Sequence, residues 1–332
     1  MNSGPVHACH QAVPHLATER RVTTPAPPRV CPRPVVVAPA IGTRLRTLHS
    51  SLLGRIENFS APGDRPAPRG HSPEYQLVLP YAGAFEWHVG ARTEFLDGTR
   101  VLFVGAGEDY ADSHVAGGGH DSIIITPRLS LLQELCGHAV PSRHPAFQRV
   151  AKPTTPRMNM RNHRLLRLEP SGSDLLAGDE LMIALLDEAL APTQRVARAS
   201  PLHVVDAAKQ FLHVHLCEAI SLNEIAHAVQ VSGAYLTDAF TRSEGVPLCH
   251  YRMRLRLNRA LVDLPRCEDI TGLALDLGFS SHAHFSNAFK SLFGVSPSAF
   301  RAGCGKPRRA LRITPACAQA ARQPEPRGGT PT

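Results

Sequence analysis

The chain has 332 residues, 43% of them hydrophobic, and a formal net charge of +8. That is enough apolar material for two ordinary domains with their own cores. No apolar run approaches the roughly eighteen residues of a membrane span, and the N-terminus lacks the charged-then-apolar layout of a signal peptide, so a cytoplasmic address and no membrane partner are expected.

The positive charge is unevenly spread. Residues 1–69 hold nine basic and three acidic side chains, residues 303–332 six and one, whereas residues 201–302 hold nine of each. Basicity therefore lies in the tails, and any nucleic-acid grip within 201–302 must come from placed cations rather than bulk charge. The eight cysteines, Cys9, Cys31, Cys136, Cys217, Cys249, Cys267, Cys304 and Cys317, form no Cys-x-x-Cys pair. Neither a zinc finger nor a disulfide framework is expected from them.

Residues 1–44 are rich in Pro, Ala, Arg and Thr without hydrophobic period, which predicts a disordered tail. From 45 the texture becomes β-rich. Gln76–Leu79, Ala84–Val89, Glu94–Leu96, Arg100–Val104 and Asp121–Ile125 are short runs separated by Gly83, Gly90, Asp97-Gly98, Gly105-Ala106-Gly107 and Gly117–Gly119. Short strands divided by turn residues predict a small antiparallel sandwich or barrel. Helical stripes follow from Pro127 to about His138 and from Gly178 to Leu190. Self-association as a homodimer through one of these stripes stays open. Residues 191–200 read as a linker.

From Pro201 to 302 the pattern is helical throughout. Val204, Val205, Ala208, Phe211, Leu212 and Leu216 mark the buried face of the first helix. Ser221 with Glu224 reads as a capping box, opening a helix with Leu222, Ile225, Ala226 and Val229 inward. Ser232 caps a helix running to Glu244, and Gly245 ends it. A long helix over 248–264 follows, with Tyr251, Leu255, Ala260, Leu261 and Leu264 inward and Arg252, Arg254, Arg256 and Arg259 on the rest. The plan then repeats: Ile270, Leu273, Ala274 and Leu277 inward, a Gly278-Phe279 turn, a helix from Ser281 to Phe293, and a stop at Pro297. Residues 303–332 read as a disordered basic tail.

One helix-turn-helix is a weak signal, because many α-hairpins share it. Two joined by a helix of about seventeen residues are far more specific. That helix spans roughly 25 Å, close to the repeat of about 34 Å between major-groove openings on one face of DNA.

Residues 206–301 resemble the DNA-binding domain of the AraC/XylS family of bacterial transcription regulators. The carriers are Gly278-Phe279, Phe285-Ser286, Phe289-Lys290, Phe293-Gly294-Val295-Ser296-Pro297 and Arg301, supported by Ser221-Leu222, Glu224-Ile225-Ala226, Ser232, Tyr235-Leu236, Phe240, Gly245, Tyr251, Arg256-Leu257 and Ala260. The resemblance implies two helix-turn-helix units, 222–243 and 270–293, whose recognition helices, 232–244 and 281–293, enter adjacent major-groove segments. It departs at His284, where the family has an aromatic, and at Ala283, where it has a small polar residue. His282 and His284, at i and i+2, face apart on a helix and are not read as metal ligands.

With Tyr235, Leu236, Ala239 and Phe240 assigned to the core, Gly233, Ala234, Thr237, Asp238, Thr241 and Arg242 face outward in the first recognition helix. With Phe285, Ala288, Phe289 and Leu292 inward, the second presents His282, Ala283, Ser286, Asn287 and Lys290. Arg242 and Asn287 have the chemistry to read guanine and adenine. Thr241, Ser286 and Lys290 can equally touch phosphate.

Residues 70–168 resemble, more diffusely, the cupin-type sensor barrel found before this domain in part of the family. The carriers are His71, Gln76–Leu79, Gly83 with Phe85-Glu86, and Val101–Val104 before a Gly-rich turn. The histidines of metal-binding cupins are incomplete here: His71 lacks a second histidine two residues on, and Tyr110-Ala111 stands where another is expected. No cofactor and no metal are therefore expected. His71, Trp87 and His88 are candidate effector-binding residues, with His114 and His120 as further pocket-lining possibilities. The expected fold is α+β: a cupin-like antiparallel β-barrel with flanking helices over 45–190, then an all-α domain of two helix-turn-helix units. The expected function is effector-controlled, sequence-specific binding of double-stranded DNA with contact to RNA polymerase, as activator or repressor, and no enzymatic activity. A cupin enzyme with an accessory helical domain and a ligand-independent architectural DNA binder are the rivals.

Overall fold

The computed structural model describes residues 43–63, 69–115, 118–168, 175–192 and 202–304. Most of the expected linker and both expected tails, save their innermost residues, lie outside the described residues. The N-terminal part consists of β1 (Arg44–Ser50), β2 (Gly54–Ala61), β3 (Arg69–Ser72), β4 (Gln76–Gly83), β5 (Phe85–Val89), β6 (Arg92–Leu96), β7 (Arg100–Val104), β8 (Glu108–His114), β9 (His120–Pro127) and β10 (Ala151–Pro153), with α1 (Leu129–Leu135), α2 (Pro156–Leu165) and α3 (Leu175–Leu190). Two antiparallel sheets result, in the orders β1-β2-β9-β4-β7-β10 and β3-β8-β5-β6.

The expected closed cupin-like barrel is instead an open pair of sheets. Among the described residues no ladder joins the edge strands of one sheet to the other. The chain passes between sheets through turns, such as those at Gly83-Ala84 and Asp97–Thr99, rather than through continuous strand pairing. The strict two-residue period of a strand sorts the first sheet into two faces. Leu77 and Leu79 of β4, with Ile123 and Ile125 of β9, pack under the helices beside Leu132, Met158, Leu185 and Leu186. Val78, Leu102 and Ile124 point the other way, toward Phe85, Trp87 and Leu96 of the second sheet.

The C-terminal part comprises α4 (Leu202–Val214), α5 (Leu222–Ala228), α6 (Gly233–Glu244), α7 (Leu248–Asp263), α8 (Ile270–Asp276), α9 (His282–Phe293) and α10 (Pro297–Gly303). Caps set the boundaries. The Ser221 capping box is complete, with Glu224 reaching back to the Ser221 backbone. Ser232, Ser281 and Ser296 each accept from the backbone N–H three residues on, satisfying donors that a helix start leaves free. Helices α6 and α9 end on left-handed Gly245 and Gly294.

α7 belongs to two cores. Its first half gives Leu248, Tyr251 and Leu255 to a cluster with Val205, Ile225, Leu236 and Phe240. Its second half gives Leu257, Ala260 and Leu261, with Leu264 just past its end, to one with Phe279, Phe285, Phe289 and Phe300. The 16-residue helix, about 24 Å long, thus joins the two cores.

The two parts pack against each other. Asp97, in the β6–β7 turn and fully buried, accepts from His213 Nε2 of α4 at 3.0 Å and from the Tyr251 hydroxyl of α7. Asn258 of α7 donates to Gly98 O at 2.9 Å and accepts from Asn159 of α2. Arg254 donates to Thr154 O at 2.9 Å. Such polar groups are tolerated out of water because each has a partner.

Candidate nucleic-acid interface

Each unit presents a second helix, α6 or α9, whose apolar side is locked into its core. Leu236, Ala239 and Phe240 are buried in α6, and Phe285 and Phe289 in α9. The tight turn before α9 depends on Gly278, at φ +78. A Cβ there would sit 2.5 Å from the Cys217 carbonyl oxygen and 2.5 Å from Arg256 Nη2. Positive φ and close backbone approach together require glycine.

The outward side carries the expected residues. Ala234, Thr237, Asp238, Thr241 and Arg242 of α6 are exposed and Gly233 is half-buried. His282, Ala283, Asn287 and Lys290 of α9 are exposed and Ser286 is half-buried. Several are pre-engaged. Arg242 pairs with Asp238 one turn back at 2.7 Å, Thr237 bonds back to Gly233 O, and Ser286 Oγ lies 3.3 Å from His282 Nε2. The Asp238–Arg242 pair is solvent-exposed and worth only a few tenths of a kcal/mol, roughly, so a better acceptor can displace it.

Two residues expected in the core are not there. Tyr235 is 38% exposed and Leu222 is 41% exposed. Each sits within the first turn of its helix, where the chain has just entered and the core lies deeper along the axis. Tyr235 thereby joins the outward face of α6, a residue that helical periodicity assigned to the wrong side. Ala288 and Leu292 of α9 are half-buried rather than fully buried.

The arginines of α7 do not form a free cationic stripe. Arg256 donates to Leu216 O at 2.8 Å, Gly278 O at 2.6 Å and Glu218 O at 2.9 Å. Burial, and then Arg252 beside it, lowers the Arg256 guanidinium to about 10. Arg252 is tied to Ile220 O and Glu218 O, Arg254 to the N-terminal part, and Arg259 to Asp263 at 2.7 Å. Arg252, Arg254 and Arg256 brace backbone carbonyls of neighbouring segments, as a planar five-donor fork can. Lys290 is exposed.

His71, Trp87 and His88 are not brought to one pocket. His71 pairs with Asp109 at 2.7 Å on the exposed edge of the second sheet. Trp87 points between the sheets and stacks on Tyr110 with centroids 4.1 Å apart. His88, one residue on and so on the opposite face, bonds Thr93 and Ser113.

Residues 225–303 match the model of a helix-turn-helix domain. This stretch is a helix-turn-helix domain. Over 131 residues the chain is 30% identical to the Msm operon regulatory protein of Streptococcus mutans, covering 38% of this chain and 47% of that protein. It is 35% identical over 92 residues to an uncharacterized HTH-type transcriptional regulator of Staphylococcus aureus, covering 27% of this chain and 12% of that one. The chain thus spans half or less of these relatives. Among solved structures it is similar to an AraC-type DNA-binding-domain regulator from Chromobacterium violaceum, at 31% identity over 32% of this chain and 95% of that one, TM-score 0.30. It is also similar to ToxT from Vibrio cholerae, at 10% identity over 79% of this chain and 97% of that one, TM-score 0.32. At those TM-scores neither likeness bears on function. No helix of the described residues is long and apolar enough to cross a membrane.

Proposed function

We propose that the chain is a sequence-specific transcription regulator of the AraC/XylS type, which reads two adjacent major-groove segments with α6 and α9. The observation that carries this reading is the division of α7 between two cores. One rigid helix holds two recognition helices at a fixed separation, and a fixed separation is what a bipartite DNA site needs. Arg242 and Asn287 take the base-reading roles, with Thr237, Thr241, Tyr235, Ser286 and Lys290 as phosphate or further base contacts. Gly233, Ala234, Asp238, His282 and Ala283 line the approach.

In this reading the N-terminal sheets control the reader. The buried contacts from the Asp97–Arg100 turn reach α4, α6 and α7, so a small-molecule effector or a homodimer partner that shifts the N-terminal part changes the population competent to bind paired sites and meet RNA polymerase. No catalytic role is assigned to any residue.

The test is selection of bound duplexes from a random pool by the full chain. Enrichment of a two-part motif whose halves lie about one helical turn apart, roughly 10 base pairs, supports the reading. Binding without sequence enrichment overturns it in favour of an architectural DNA binder.

A further inference from the structure

We infer that Asp112, His114 and His120 form a binding site for a divalent transition-metal ion, held between the two N-terminal sheets. Asp112 and His114 are two residues apart on β8 and so share one face. That face is the inner one: their cross-strand partners are Trp87 and Phe85, both buried between the sheets. His120 opens β9 in the other sheet, opposite Gly83 and Ala61. The connection from β8 to β9 therefore folds three potential ligands together from two sheets.

Among the described residues this is the one group of three or more His, Cys, Asp or Glu side chains close enough to share an ion. One ligand atom from each lies within 4.8 Å of the others. Metal bonds of about 2.0–2.2 Å in a tetrahedral shell place donors about 3.5 Å apart, so side-chain rotation drawing them together by roughly 1–1.5 Å closes the set.

A second observation points to a missing partner. Both ring nitrogens of His114 and Nδ1 of His120 are buried without a hydrogen-bond partner. Native interiors seldom leave such atoms unsatisfied. His120 is 4% exposed and stacks on Phe85 with centroids 4.0 Å apart, which fixes its ring plane. Its centroid lies 5.2 Å from that of His114.

Two imidazoles and a carboxylate suit zinc and its first-row neighbours, whereas magnesium and calcium prefer all-oxygen shells. Three protein ligands leave a coordination position open to water or an exogenous group. The sequence expectation of no metal followed from the incomplete histidine pattern around His71 and Tyr110. This set lies elsewhere, on β8 and at the start of β9. The inference is independent of the DNA-binding reading.

The test uses the full-length chain stripped with a chelator and titrated with Co2+, read by visible d–d absorption and by emission of Trp87, the one tryptophan of the chain. The expected result is saturable Co2+ absorption bands with quenching of Trp87, which stands directly opposite Asp112. His114→Gln and Asp112→Asn should each weaken Co2+ binding by more than about 100-fold, since even outer-shell partners of a metal site are worth 10–100-fold. His250→Ala, on exposed α7 surface, should leave it unchanged. Failure of the parent chain to bind Co2+, or equal affinity and equal Trp87 quenching in parent and Asp112→Asn, overturns the inference. Asp112→Asn preserves side-chain shape and decides the matter even where His114→Gln does not fold.

Discussion

Arg100 Nη2 lies 3.2 and 3.1 Å from the two carboxylate oxygens of Glu244. Arg100 opens β7 in the N-terminal part, and Glu244 is the last residue of α6, the first of the two proposed recognition helices. Lys209 of α4 also pairs with Glu244, and Glu94 lies 3.9 Å from Arg100. All of these side chains are largely out of water. A buried ion pair adds little net stability when complete, but removing one partner strands the other in low dielectric. Arg100→Met should therefore cost about 3 kcal/mol, measured as a lower urea midpoint, and a double-mutant cycle with Glu244→Gln should show clear coupling. A loss below about 1 kcal/mol would mean that this junction does not hold the two parts together in solution.

Gly278 and Gly294 share nearly the same left-handed φ, +78 and +79, in different surroundings. A Cβ at Gly278 meets backbone and the Arg256 guanidinium, whereas at Gly294 nothing lies within 4 Å. Gly294→Ala should cost only the left-handed backbone penalty, about 1 kcal/mol. Gly278→Ala should cost clearly more, about 3 kcal/mol, because the clash also dislodges the Arg256 brace. Thermal unfolding of both variants checks the difference, and equal losses would refute the role of close packing at the turn.

His163 of α2 is buried against Phe300 of α10, ring centroids 5.1 Å apart. Burial first, then the nearby Arg167 and Arg266 charges, lower its imidazole from 6.5 to about 4. Between those values the unfolded chain binds a proton that the folded chain does not, so stability falls as pH drops from 6.5 toward 4. The full effect is of order 3 kcal/mol. His163→Phe should flatten that part of the stability profile while leaving stability near pH 8 less affected. A profile unchanged by the substitution would show that His163 titrates normally.

The C-terminal helices were legible because capping is local. Ser221 with Glu224, Ser232, Gly245, Gly294 and Pro297 act within a few residues of themselves, so their spacing alone marks where helices begin and end. The N-terminal sheets were only half legible. β4, β5, β6, β7 and β9 announce themselves through apolar runs, but β3 (RGHS) and β8 (EDYADSH) carry almost none, being held by their pairing with each other and with β5. α2 escaped because much of its buried side is polar: Asn159, Asn162 and His163 face protein beside Met158 and Leu165. Its Thr155 cap followed by Pro156 was the available signal. The arginines of α7 misled for a different reason. A sequence shows a charge, but only the fold shows which carbonyls already hold it.

The outward faces of α6 and α9 follow from which side chains their cores bury, and that leaves base reading to be assigned residue by residue. The most direct measurement is duplex selection with the full chain carrying Arg242→Ala or Asn287→Ala, compared with the parent. The account predicts that each variant loses preference at one position in one half of the bipartite site, at a cost of about 1–3 kcal/mol there, with the other half intact. Unaltered selection by both variants, or uniform weakening across all sequences, would contradict base reading by these two helices.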